Sequence, residues 1–125
     1  MSFARLAPLL LLAVPVAASA QSMNAEVFHQ KARALMAKGP LAMFSGDLKL
    51  VMNEGKSAGA KAREQRLAAI KAGQNPRYCP PPGKTGMASN EFMQRLADIP
   101  AADRAKIDMT EATTRILARK YPCPT

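Results

Sequence analysis

The chain predicts an all-α fold, a small domain of four or five helices closed by one disulfide. Three observations carry that expectation. Alanine, leucine and methionine are abundant, whereas aromatic residues make up 5% of the chain and tryptophan is absent. Unbranched side chains lose little rotamer freedom on a helix, while strands favour β-branched and aromatic residues. Apolar residues recur at helical spacing along most of the chain beyond residue 24. The two cysteines, Cys79 and Cys123, both fall in the C-terminal part, where one intramolecular pairing is available to them.

The first element is read as a leader. Met1 to Ala20 has a single cation, Arg5, an apolar run from Leu6 to Ala17, and the small-residue ending Ala18-Ser19-Ala20. That order describes a secretory signal peptide cleaved between Ala20 and Gln21, which implies export to the periplasm. The run is shorter than the roughly 20 residues that span a bilayer, so stable membrane insertion is not expected. Residues 21–125 then form a single helical domain. Removing Arg5 leaves 17 Lys and Arg against 9 Asp and Glu, a net charge of +8. Such a chain can be drawn to acidic proteins, anionic lipid or the cell wall. Its charges are interspersed, however, with no run of five like charges, which reads first as a solvated helical surface. Nucleic acid is not an expected partner, because no basic and aromatic recognition module is present.

Asn24 is placed to cap a helix from about Ala25 to Lys38, with Val27, Phe28, Leu35 and Met36 on one face. Gly39-Pro40 stops it, because glycine suits the left-handed position past a helix end and proline cannot continue the ladder. Leu41, Phe44, Leu48, Val51 and Met52 give a second apolar stripe, which continues past Gly55 and Gly59 to Leu67 and Ile70. The two glycines admit either a close backbone approach or a bend. Lys56 to Lys71 is rich in alanine and cations and suggests a narrow buried face. Gly73 to Pro76 breaks this helix, and Cys79 to Gly86 reads as a stiff, exposed loop, since consecutive prolines supply no backbone donors. Ser89 is expected to cap a helix to about Asp98 that buries Phe92, Met93 and Leu96 and ends at Ile99-Pro100. Asp108 with Glu111 reads as a capping-box variant opening a last helix to about Tyr121, with Ala112, Ile116 and Leu117 inward.

Few residues suggest chemistry. In an oxidising compartment, Cys79 and Cys123 are expected to form a disulfide rather than stay free or hold metal, because no C-x-x-C spacing exists and the single histidine is distant. That histidine, His29, is read as a surface residue. Methionines 23, 36, 43, 52, 87, 93 and 109 are scattered and read as core packing rather than a copper site. No paired carboxylates, phosphate loop or nucleophile elbow is found, so neither an enzyme nor a cofactor is expected. Pro80, Pro81, Pro82 and Lys84 form the candidate partner-binding loop, because a stiff loop loses little entropy on docking.

The C-terminal half has a distinctive order. Arg77-Tyr78-Cys79-Pro80-Pro81 precedes Ser89-Asn90-Glu91-Phe92-Met93-Gln94-Arg95-Leu96, then Asp98-Ile99-Pro100 and Arg104, and the chain closes with Ala112 to Tyr121 and Pro122-Cys123. Over residues 77–123 this resembles the Rap/Tai family of immunity proteins, which guard bacteria against type VI secretion effectors that cut peptidoglycan. The resemblance implies an all-helical periplasmic domain, often a homodimer, that binds and blocks an amidase, and it makes Cys79–Cys123 a family disulfide. Family members usually carry further cysteines in the first helical region, whereas Ala25 to Lys71 has none. The leading expectation is therefore a periplasmic immunity-type inhibitor. The alternative is a small periplasmic chaperone or stress protein.

Overall fold

The computed structural model describes residues 22–125; the expected leader and its cleavage site lie outside them. Five α-helices and one 3-10 turn form the described fold. They are α1 (Ala25–Lys38), the 3-10 turn Gly39–Phe44, α2 (Gly46–Lys71), α3 (Ser89–Asp98), α4 (Ala101–Arg104) and α5 (Met109–Lys120). The longest, α2, spans about 39 Å at 1.5 Å per residue. It packs against α5 and α1, while α3 lies on α5 and α1.

Local capping explains most of the boundaries. The Asn24 side chain accepts hydrogen bonds from the backbone N–H groups of Glu26 and Val27 at 3.0 and 3.2 Å. Gly39 ends α1 with a φ of 55°, a conformation that suits glycine. Ser45 caps α2 by accepting from the Asp47 N–H. Asp108 caps α5 by accepting from the Glu111 N–H at 2.8 Å. Only that half of the capping box forms, because the Glu111 carboxylate is held by Arg77 and Arg115 instead. The expected cap at Ser89 is displaced: Ala88 occupies the cap position with no side-chain bond, and Ser89 is the first helical residue. As for the glycines of α2, the helix runs unbroken through both. A Cβ at Gly55 would meet the Phe28 ring at an ordinary 4.0 Å, and one at Gly59 would meet nothing.

The core joins Ala25, Phe28 and Ala32 of α1 and Ala58 of α2 to Leu96, Ile99, Met109, Ala112 and Ile116. Small residues on α2 let α1 and α5 approach it closely, and Ala58 and Ala62 are its buried positions, as the narrow-face reading expects. Phe28 and Phe92 meet edge to face with centroids 6.3 Å apart. The segment before α1 is sewn to the turn before α5. Met109 N–H donates to Met23 O, Ala25 N–H to Ile107 O, and the Asn24 amide to Ala105 O. The Met23 N–H donates to the Glu54 carboxylate of α2 at 2.6 Å.

Arg104 ties these parts together. The residue is 7% exposed, and its Nε donates to Glu26 Oε2 of α1 at 2.6 Å. Its Nη1 donates to the carbonyls of Leu96 and Ala97 at the end of α3 and of Ile99 just past it, and the Leu96 carbonyl also accepts from the Ile99 N–H. One guanidinium therefore caps α3, fixes the α3–α4 corner and anchors α1. Arg104→Ala should lower stability by about 2 to 4 kcal/mol in urea unfolding, because it strands a carboxylate and buried carbonyls. Arg104→Lys should recover less than half of that loss, since an ammonium cannot reproduce the planar fork. An Arg104→Ala midpoint equal to that of the parent chain would contradict this.

Candidate functional site

Two exposed features stand out, one expected from the sequence and one not. The expected one is the proline segment. Past α2, Gly73 takes a φ of 73° and its N–H donates to Ile70 O, turning the chain back toward α5. Arg77 then makes a forked ion pair with Glu111 of α5, with Nη2 at 2.9 Å from Oε1. Tyr78 is buried beneath Arg66, whose guanidinium lies 5.4 Å from the ring centroid. The Cys79 N–H donates to Tyr121 O at 2.8 Å, and its sulfur is bonded to Cys123 across a Cα–Cα distance of 4.8 Å. These tethers fix the chain where Pro80 begins. Pro80 is half-buried, whereas Pro81, Pro82 and Lys84 are exposed, and Gly83 turns the segment with a φ of 104°. Met87 re-enters the core, so both ends of the loop are anchored.

The second feature is the elbow between α1 and α2, and here the structure corrects the sequence reading. Leu41, Met43 and Phe44 are 69%, 78% and 88% exposed, and Met36 and Met52 are exposed beside them. Leu41, Phe44 and Met52 were expected to face the core, yet from this stripe only Leu48 and Val51 are even half-buried. Val27 and Met36 of the first expected face are exposed as well. A groove of about 240 Å³ lined by Met43, Ser45, Leu48, Lys49, Met52, Asn53 and Lys56 runs along the elbow. The methionines divide accordingly: Met109 is buried, Met23, Met87 and Met93 are half-buried, and Met36, Met43 and Met52 face outward.

His29 is the other correction. Instead of lying on the surface it is 6% exposed, because α1 turns it toward the Glu26–Arg104 pair. Burial holds its pKa below the ordinary 6.5, with the Arg104 charge adding to the effect. Hydrogen bonds from charged partners lower three carboxyl groups: Arg104 acts on Glu26, Lys120 and then Arg95 on Glu91, and Arg77 and then Arg115 on Glu111. Two buried polar atoms, Arg66 Nε and Thr113 Oγ1, have no hydrogen-bond partner among the described residues. Ion pairs, a disulfide and exposed apolar surface are the groups this geometry assembles. Among the described residues no His, Cys, Asp or Glu cluster could hold a metal ion, and no helix is long and apolar enough to cross a membrane. Comparison of the chain with family models, curated proteins and solved structures finds no match.

The disulfide closes a separation of 44 residues, which restricts the unfolded chain by about 4 kcal/mol in the chain-entropy treatment. Cys123→Ser, or reduction, should lower unfolding free energy by up to that amount while leaving far-UV dichroism helical. An unchanged urea midpoint after reduction would show that the bond constrains nothing.

The pH response has a definite sign. Below pH 6.5 the unfolded chain binds a proton at His29 that the folded chain resists, so acid favours unfolding. Below 4.5 the same holds for Glu26, Glu91 and Glu111, whose lowered values contribute stability that is lost as pH falls through them. Urea midpoints should therefore drop between pH 7.5 and 5.5 and again toward 3.5. His29→Gln should remove only the first drop. A variant that still loses stability between pH 7.5 and 5.5 would place that titration elsewhere.

Proposed function

We propose that this chain is an exported immunity-type binding protein that neutralises a peptidoglycan amidase of the type VI class by occluding its active site in the periplasm. The observation that carries the reading is the projecting apolar elbow, with Phe44, Met43 and Leu41 exposed at a helix–helix corner. Contiguous exposed apolar residues of this size mark interaction surfaces, and aromatic anchors dominate their energetics. A projecting corner is complementary to the concave cleft in which an amidase holds its substrate. The order of residues 77–123 supports the same class through its resemblance to the Rap/Tai family. Pro81, Pro82 and Lys84 would form a second contact, presented on a loop that loses little entropy on docking. A charge of +8 over residues 21–125 favours encounter with an acidic enzyme, an effect that added salt weakens.

The purified domain should inhibit a co-encoded amidase one to one without turning over substrate. Phe44→Asp should weaken inhibition at least tenfold with the helical signal unchanged, since Phe44 contributes nothing to the core. Replacing Pro80 to Lys84 by a Gly-Ser sequence should weaken it less. Full inhibition by the Phe44→Asp variant would remove the elbow from the interface, and failure of the parent chain to inhibit would overturn the immunity reading. A second copy of the chain is the competing occupant of the elbow, and sedimentation of parent and Phe44→Asp chains distinguishes it.

One observation favours the chaperone reading as well. His29 and Glu26 make the α1 anchor acid-labile while apolar side chains already project from the adjacent corner. Suppression of client aggregation at pH 3, absent at pH 7, would support that reading over immunity.

A further inference from the structure

A cleft of about 190 Å³ lies between the α3–α4 corner and α5, and it shares no residue with the elbow or the proline segment. Arg95, Asp98, Asp103, Arg115 and Arg119 provide its charged groups, and Ile99, Pro100 and Ile116 its apolar surface. From this arrangement we propose that the cleft binds a small zwitterion, a short peptide with a free amino group and a free carboxylate.

The charges are arranged for a ligand rather than for one another. Neither Asp98 nor Asp103 forms an ion pair with any of the three arginines, although all five line one cleft. Asp98 is also the last residue of α3, where the helix dipole disfavours a carboxylate. Two of the arginines are held through Nε alone, Arg95 by Glu91 and Arg115 by Glu111, each at 3.0 Å. Those carboxylates are themselves held, Glu91 by Lys120 and Glu111 by Arg77, so the two guanidiniums are positioned while their Nη groups stay open to another acceptor. Arg119 makes no ion pair or hydrogen bond among the described residues.

The sign pattern selects the ligand class. A simple anion would gain three guanidiniums but would face two uncompensated carboxylates, and a simple cation would meet the reverse. A zwitterion satisfies both sets, with its carboxylate on Arg115 and Arg119 and its ammonium on Asp98 and Asp103. The volume equals that of about six waters, the scale of one or two amino-acid residues. Buried Ile99 and Ile116 give such a ligand an apolar wall. The proposal stands apart from the partner proposed above, because it uses different residues.

Amide-resolved NMR titration tests it with three probes: alanyl-alanine, its N-acetyl form and its C-terminal amide. Alanyl-alanine should shift amides of residues 95–103 and 115–119 and saturate with a Kd on the order of 1 mM, as suits exposed ion pairs that are individually weak. Either blocked form should bind at least tenfold more weakly. Arg119→Ala and Asp103→Ala, both at exposed positions, should each weaken alanyl-alanine at least fivefold without altering the remaining spectrum. A D,D-dipeptide binding better than the L,L form would assign the ligand to the cell wall, and the opposite order to protein-derived peptides. Equal binding of the N-acetyl form, insensitivity to Asp103→Ala, or no saturable shift would overturn the proposal.

Discussion

The fold depends on one buried guanidinium. α3 and α4 are short, at ten and four residues, and neither has a side-chain N-cap. Isolated helices of this length are marginal in water, so their order must come from tertiary contacts. Arg104 supplies those contacts at the place where they matter most. It donates to three carbonyls at and just past the end of α3 and reaches across to Glu26 in the first turn of α1. The residues it joins are 78 positions apart in sequence. A charge taken from water into such a site is stable only when its donors are widely satisfied, and here Nε and Nη1 both are. His29 is buried as a consequence, since it shares the face of α1 that docks on this corner.

From that corner the body extends as a sewn unit. The backbone bonds of Met23 and Ala25 to the α4–α5 turn close the N-terminal side, and the disulfide with the Cys79–Tyr121 bond closes the C-terminal side. Charge networks centred on Glu91 and Glu111 fix α5 to α3 and to the segment before the disulfide. The elbow and the proline segment project from this unit at positions set by it. The elbow leaves α1 at Gly39 and returns through the Ser45 cap. The proline segment leaves at Cys79 and returns at Met87. A segment tethered at both ends loses less conformational freedom on docking than a free one, even where it opens locally.

What was legible in the sequence follows from the range of the interactions involved. Asn24, Gly39-Pro40, Ile99-Pro100 and Asp108 act through hydrogen bonds and steric limits within a few residues, and each marks a boundary that the structure shares. The disulfide was legible because two cysteines allow one intramolecular pairing. Ser89 misled by one residue, since a helix starts where packing allows it as well as where a cap is offered. Leu41, Phe44 and Met52 misled for a deeper reason. Periodicity marks an apolar face but does not say whether that face meets its own chain or another. His29 was read as surface because such side chains are usually exposed, and the role of Arg104 went unread because its partners are fixed by long-range packing. The charged cleft was hidden because Asp98 and Arg119 come together through the α3–α5 contact, although the spacings Glu91–Arg95 and Glu111–Arg115 were visible.

Hydrogen exchange on the native chain tests the central claim, that the Arg104 corner and the N-terminal segment form one cooperative body from which the elbow projects. The amides of Ala25, Ile99, Arg104 and Met109, all hydrogen-bonded at this corner, are expected to exchange together at the global unfolding free energy. Those of Leu41 and Met43 are expected to exchange much faster, through local opening. Independent, rapid exchange at Ala25 and Met109 while α2 and α5 remain protected would contradict the account.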